Sequence, residues 1–230
     1  MREEGVIWAS LAVSLAGVIL VAAFLSLPGA GATIENPFMI WVPFVSLCLL
    51  GAIATLFPHR CNPSKVLPQD LDPSRFTVVL GVRLYHGHHI PCTHFQEHEH
   101  NVRGKFFCAG CSGLLIGATA AVSVATLHFI YGWNPGRVMG YAGLVCVVLG
   151  LFYIPLRIAH GPILRTLINT LFVLGFALTL SSVDGSGSSA FDLVVIGLSV
   201  FWMFTRIQLS RWSHDNVCDE CGEECWKGEP

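Results

Sequence analysis

The sequence predicts an all-α membrane protein, a bundle of about six transmembrane helices with a cytosolic loop and tail rich in Cys and His. Three observations predict this class. Hydrophobic residues make up 53% of the 230 residues and charged residues only 12%, whereas soluble domains carry roughly 25% charged residues. Long apolar runs follow one another along the chain. Most of the histidines fall in one polar segment between the second and third of those runs.

The helices are predicted from the apolar runs, because a helix that crosses a bilayer needs about 20 apolar residues. Six runs come close to that length: 5–27, 37–57, 106–133, 138–156, 163–183 and 190–207. A buried helix of a soluble core explains one such run but not six in a short chain. The chain therefore divides into helices one and two (1–57), a loop (58–105), helices three to six (106–207) and a tail (208–230).

Positive charges predict the orientation of these helices. With six spans, Arg137 lies on one side of the membrane, and the other Lys and Arg residues lie on the side of the long loop and both termini. Lys and Arg are enriched in cytoplasmic loops. We therefore expect a multi-pass protein of the cell membrane with both termini cytosolic. The net charge of −2 offers no basic surface for nucleic acid, so the expected partner is the lipid bilayer. Further copies of the chain or other membrane subunits stay open as partners.

The apolar runs contain few groups that suggest transport. Asp192 and Arg206 lie near the ends of the last run, and no other Asp, Glu, Lys or Arg lies near mid-span. Ion pathways usually need charged groups at depth, which disfavours a proton- or ion-coupled transporter. Gly113 and Gly117, four residues apart, predict a close contact between helices.

Two pairs of cysteines predict a metal site. Cys108 and Cys111 open the third helix three residues apart, so both sulfurs face one side, and a helix N-terminus favours thiolates. Cys218 and Cys221 in the tail, followed by glycine, have the form of a zinc knuckle. One pair from each segment predicts a tetrahedral site. Cys225 is a further thiol within reach.

The loop adds six histidines and one cysteine within 86–100, and neutral imidazole is the commonest metal ligand. Cys92, His94 and His98 could form a second site or substitute within the first. His94 to His98 also matches the inverted zinc-protease pattern His-x-x-Glu-His, with Glu97 as the base. The clustered histidines also resemble the boxes of membrane di-iron oxygenases, although those use three separated boxes.

Several roles of the cysteines stay open. Zinc is the predicted ion and iron the alternative, and a redox-active pair or an iron–sulfur cluster also uses such thiols. A disulfide is disfavoured in the reducing cytosol. The expected function is a metal-dependent scaffold, sensor or assembly factor. The alternative is a membrane metalloenzyme, either metallohydrolase or oxidoreductase, centred on the histidine loop. Whether the chain catalyses a reaction stays open.

Residues 92–117 resemble a family of uncharacterised prokaryotic multi-span membrane proteins that is grouped as a domain of unknown function. The family signature is a cysteine followed about sixteen residues later by Cys-x-x-Cys at the start of a transmembrane helix. It is matched here by Cys92, Cys108, Cys111 and Gly113. Thr93 and Gly110 depart from the histidine and arginine that the family tends to have there. The resemblance implies a membrane protein with a linked role for the three cysteines, and no activity.

Overall fold

The structure is a computed structural model, which describes the backbone of residues 2–27, 37–57, 73–87, 97–156, 158, 161–185 and 189–221. Six α-helices make up most of it: α1 (Arg2–Ser26), α2 (Phe38–Leu56), α3 (Ala109–Phe129), α4 (Gly136–Phe152), α5 (Pro162–Asp184) and α6 (Ser189–Cys221). Four short strands lie between α2 and α3: β1 (Phe76–Val79), β2 (Val82–Tyr85), β3 (Glu99–Val102) and β4 (Lys105–Cys108).

Five of the helices in the described part of the chain, all except α4, are long and apolar enough to cross a membrane. Their outer faces carry large apolar side chains that no other part of the protein covers, such as Ile19 (67% exposed), Met39 (68%) and Leu50 (63%). An apolar surface of this kind is stable in lipid and unfavourable in water. The helices therefore support the predicted membrane location.

Helix α4 is shorter, with 17 residues, or about 25 Å of helix. It begins beside the end of α5, where Ser182 Oγ donates to the Gly136 carbonyl. It ends at Tyr153, whose hydroxyl contacts Asn169 near the start of α5. α4 therefore runs antiparallel to most of α5.

Helix α5 is the centre of the bundle because small residues let its neighbours approach closely. A Cβ atom added to Gly117 of α3 would lie 2.8 Å from the Thr170 carbonyl oxygen, and one added to Gly143 of α4 would lie 2.7 Å from that of Gly175. Thr170 Oγ1 also donates to the Gly113 carbonyl across the α3–α5 contact. The close helix contact predicted from Gly113 and Gly117 is confirmed.

The four strands between α2 and α3 were not predicted, and they add to a fold that is mostly helical, as predicted. β1 and β2 form one antiparallel hairpin, and β3 and β4 form a second. The turns are Leu80–Gly81 and Arg103–Gly104, in which all four residues have positive φ, as a two-residue type I′ hairpin turn requires.

Two predicted boundaries also change. Residues 106–108, the first three of the third apolar run, belong to β4, so α3 begins at Ala109. The sixth helix does not end near 207 but continues to Cys221, which replaces the first half of the predicted tail. We call the bundle end with the two hairpins the hairpin end, and the opposite end, with the C-termini of α3 and α5, the far end.

Candidate functional site

Cys108 and Cys111 lie at the point where β4 passes directly into α3. Cys108 is the N-cap residue of α3 and is 5% exposed, while Cys111 is half-buried. The two side chains are in hydrogen-bond contact, and both sulfurs are thiols. The three-residue spacing therefore places the two sulfurs together, as predicted. The unpaired N–H groups of the first helical turn favour negative charge at this point.

The first hairpin is fixed against this junction by His86. The Cys108 N–H donates to the His86 carbonyl oxygen. His86 Nδ1 lies 2.7 Å from the Phe106 carbonyl, to which it donates, and Nε2 lies 3.2 Å from the Thr77 hydroxyl. We call the two hairpins together the cap. Both ring nitrogens of His86 therefore make hydrogen bonds within the cap, and neither is left for a metal ion.

The second hairpin is fixed to α5 and to the first hairpin. His100 Nε2 lies 2.7 Å from Thr166 Oγ1, and that hydroxyl donates to the Ala109 carbonyl. The hydroxyl therefore accepts from His100. Arg75, which precedes β1, forms a buried ion pair with Glu99 of β3. His86 and His100 thus have structural partners.

A second polar cluster lies below the cysteines, between α4, α5 and α6. Arg206, which is 5% exposed, donates through Nη2 to Asn169 Oδ1 at 2.8 Å and to the Tyr153 hydroxyl. The Arg206 guanidinium also lies over the Tyr153 ring, 4.8 Å from its centroid. Asn169 Nδ2 donates to the Tyr153 hydroxyl and to the Arg165 carbonyl. Arg165 is within electrostatic reach of both Arg206 and Cys108. We call Tyr153, Arg165, Asn169 and Arg206 the arginine cluster.

The sequence did not predict the arginine cluster. Arg206 appeared only as an interruption near the end of an apolar run. The available signal was a charged residue with further apolar residues after it, since such a side chain needs partners inside the bundle.

The far end carries a cluster of opposite sign. His128 Nε2 lies 2.7 Å from Asp184 Oδ2, and His128 Nδ1 lies 2.6 Å from the Trp133 carbonyl oxygen. Since a carboxylate and a carbonyl both accept, both ring nitrogens donate and the imidazole is positively charged. Asp192, which is 0% exposed, lies within electrostatic reach of His128 and Asp184.

The predicted metal ligands are only partly covered by the structure. Cys92, His94 and Cys225 lie outside the described residues. Cys218 and Cys221 lie on the last turns of α6, where the backbone is α-helical rather than turned as a zinc knuckle requires. His98 is half-buried, and together with Glu97 it forms a short 3-10 turn that leads into β3.

Helical geometry bears on the predicted link between the two cysteine pairs. Cys218 follows Arg206 by twelve residues in one continuous helix, which is a rise of about 18 Å along the axis. Gly113 of α3 packs against Asn169, the partner of Arg206, so Cys111 lies near the level of Arg206. The direction of α6 therefore carries the tail pair away from the first pair.

Within the described parts of the chain, no group of three or more His, Cys, Asp or Glu side chains could hold a metal ion. Cys108 and Cys111 together supply two ligands, and an ion would need others. No family model, curated protein or solved structure matches the chain. The resemblance of residues 92–117 to the uncharacterised membrane family therefore stays a prediction.

Proposed function

We propose that this protein is a six-span membrane protein that binds zinc at the cytosolic membrane boundary through Cys108 and Cys111. The observation that carries the proposal is the contact between these two thiols at the N-terminus of α3. Two adjacent thiols at a helix N-terminus supply half of a tetrahedral zinc site.

The other two ligands come from the segment between the hairpins. His86 and Glu99 lie on either side of that segment, and both adjoin Cys108. The His86 carbonyl accepts a hydrogen bond from the Cys108 N–H, and Glu99 is the residue paired with Cys108 in the β3–β4 ladder. The chain from 87 to 98 therefore begins and ends beside the cysteine pair. Cys92 and His94, with His98 as an alternative, are the proposed donors. These local donors are better supported than Cys218, Cys221 and Cys225 because α6 leads away from the pair.

The topology supports the number of spans and the orientation. α4 runs antiparallel to α5 from Ser182 to Asn169, and its 17 residues reach the lower limit for crossing a bilayer. Arg83, Arg103 and Lys105 lie on the hairpins, whereas Arg137 begins α4 at the far end. Under the positive-inside tendency the hairpin end faces the cytosol.

The role of the metal in this proposal is structural. Each hairpin has only two short strands, and an isolated two-stranded hairpin is marginal in water. A structural zinc site contributes on the order of 10 kcal/mol to folding in small domains, which is enough to order this cap. A cap held by metal suits a membrane scaffold, a metal sensor or an assembly factor.

Metal content tests the proposal. The purified full-length protein should contain about one zinc ion per chain, and Cys108→Ser and Cys111→Ser should each lower that content several-fold because a hydroxyl is a poor zinc ligand. Cys146→Ser, a change to a thiol in α4, is the matched control and should keep the metal. Unchanged zinc content in both variants would remove the pair from the site.

A dithiol oxidoreductase is the second candidate, because two neighbouring thiols at a helix N-terminus can form and lose a disulfide bond. A pair that carries no metal, and that forms and loses a disulfide as the redox potential changes, would support this alternative. The metallohydrolase alternative has less support, since Glu97 and His98 lie in a 3-10 turn and not on the helix that His-x-x-Glu-His requires.

A further inference from the structure

We propose that Arg165 and Arg206 form a binding site for a phosphate group at the hairpin end of the bundle. The site is distinct from the proposed metal site and does not rest on it. The phosphate belongs either to the head group of a membrane lipid or to a soluble compound.

The first step is the state of Arg206. Its side chain is buried, and its hydrogen-bond partners are the Tyr153 hydroxyl and the Asn169 amide oxygen, which are both neutral. Its Nε is buried without a hydrogen-bond partner among the described residues. A buried guanidinium normally has an anion beside it, because neutral groups replace only part of its hydration.

The second step is the position of Arg165, one turn before Asn169 on α5. Its Nε is also buried without a hydrogen-bond partner in the described part of the chain. Asn169 joins the two residues, because its Oδ1 accepts from the Arg206 guanidinium and its Nδ2 donates to the Arg165 carbonyl. Two arginine side chains with buried, unpartnered Nε atoms therefore lie in the same part of the bundle, where the dielectric constant is low.

The third step is the supply of internal anions. Among the described residues, the ion pairs are Arg75 with Glu99 and His128 with Asp184, so neither arginine of the cluster is in one. Glu97 is within electrostatic reach of Arg165, but its side chain is exposed, so water screens the interaction. The positive charge of the cluster thus exceeds what these residues neutralise.

The fourth step is the choice of ligand. A guanidinium donates two parallel hydrogen bonds to phosphate or carboxylate oxygens, and two guanidinium groups match the double charge of a phosphate monoester.

Arg206 lies 17 residues from the start of α6, about 26 Å along the helix, which approaches the thickness of the hydrocarbon core. Glu4, Trp8 and Trp212 line a shallow depression with Leu209, the residue three positions after Arg206. Tryptophan is enriched at the membrane–water interface, where lipid phosphates lie.

Thermal melting of the full-length protein in phosphate-free detergent solution tests the site. The probes are inorganic phosphate, dihexanoyl phosphatidic acid and, as a zwitterionic comparison, dihexanoyl phosphatidylcholine, all at matched ionic strength. Phosphate or phosphatidic acid should raise the melting temperature in a saturable way, since a ligand that binds the folded state stabilises it. A response to phosphatidic acid alone identifies a lipid head group, and a response to both identifies the phosphate group itself. A response to neither overturns the proposal.

Variants locate the site. Arg165→Gln should weaken the affinity at least tenfold, whereas Arg211→Gln, a change to an exposed arginine on α6, should leave it within twofold. Asn169→Asp places a carboxylate beside Arg206 and should also weaken the affinity at least tenfold while the protein stays folded. Wild-type affinity in both Arg165→Gln and Asn169→Asp would overturn the proposal. Cys108→Ser should retain phosphate binding, which separates this site from the metal site.

Discussion

The two ends of α5 both bury charged groups, but they balance those charges differently. At the far end, Asp184 of α5 is paired with His128, and Asp192 lies within reach of both. At the hairpin end, the Arg206 side chain contacts Tyr153 and Asn169, which carry no charge, and Arg165 lies one turn before Asn169 on α5. The far end thus pairs one carboxylate with an imidazolium, although both Asp192 oxygens and Asp184 Oδ1 have no hydrogen-bond partner among the described residues. At the hairpin end, neither arginine is in an ion pair among the described residues. A buried ion pair serves the fold, and two buried cations without such a pair indicate a ligand.

Asp184→Asn should have the largest effect on stability. The ion pair between His128 and Asp184 is mostly buried, and removing one partner of a buried pair typically destabilises a protein by about 3–5 kcal/mol. We expect a loss at the lower end of that range, because the amide still accepts a hydrogen bond from His128. Melting in detergent measures the loss.

Asp215→Asn is the control for this change, because the Asp215 carboxylate on α6 is exposed. It should leave stability within about 0.5 kcal/mol. If Asp184→Asn were equally mild, the far end would not be held by its own charges, and the contrast between the two ends would be lost.

The two ends also differ in how far the sequence predicts them. The helices follow from the apolar runs, because a bilayer leaves few alternatives to a helix for an apolar segment. The contact between Cys108 and Cys111 follows from their spacing in the chain. The arginine cluster does not, because Tyr153, Asn169 and Arg206 come from three separate segments, and periodicity does not determine which helices are neighbours. The pair of His128 and Asp184 does not follow from the sequence for the same reason, because α4 lies between the two residues in the chain.

The hairpins could have been predicted from local signals. Leu80–Gly81 and Arg103–Gly104 each separate two short runs with β-forming residues, which is the pattern of a two-residue hairpin. The histidines and prolines of the segment obscured this signal. Phe106 and Phe107 are apolar and so fit the start of a transmembrane helix, although they belong to β4.

Gly113→Ala should have the second-largest effect, and it tests whether the hairpin end depends on close helix packing. A Cβ atom at this position would overlap the Thr166 carbonyl oxygen and lie 2.8 Å from Asn169 Cβ. Forcing a methyl group into such a contact costs about 1–3 kcal/mol. Because the displaced residue is Asn169, phosphate affinity should fall together with the melting temperature.

Gly197→Ala is the matched control, since a Cβ atom at Gly197 of α6 has no neighbour within 4 Å. It should be neutral or stabilising by up to about 1 kcal/mol, as alanine favours a helix more than glycine does. A loss of stability in Gly113→Ala without any loss of phosphate affinity would show that Asn169 does not position the arginine cluster.

The smallest expected effect concerns the contact between the cap and the bundle at the hairpin end. His100 donates to Thr166 across the β3–α5 contact, and a single hydrogen bond of this kind contributes about 0.5–1.5 kcal/mol net. A double-mutant cycle of His100→Ala and Thr166→Val, measured by melting after chelation of metal, should give a coupling in that range. The cap is also held by the Cys108–His86 hydrogen bond and by the direct passage of β4 into α3, so a coupling in that range would mean that this contact is one of several links. A coupling of several kcal/mol would instead mean that the protein holds the cap unaided, as it holds the far end, and the cap would then need no metal to stay in place.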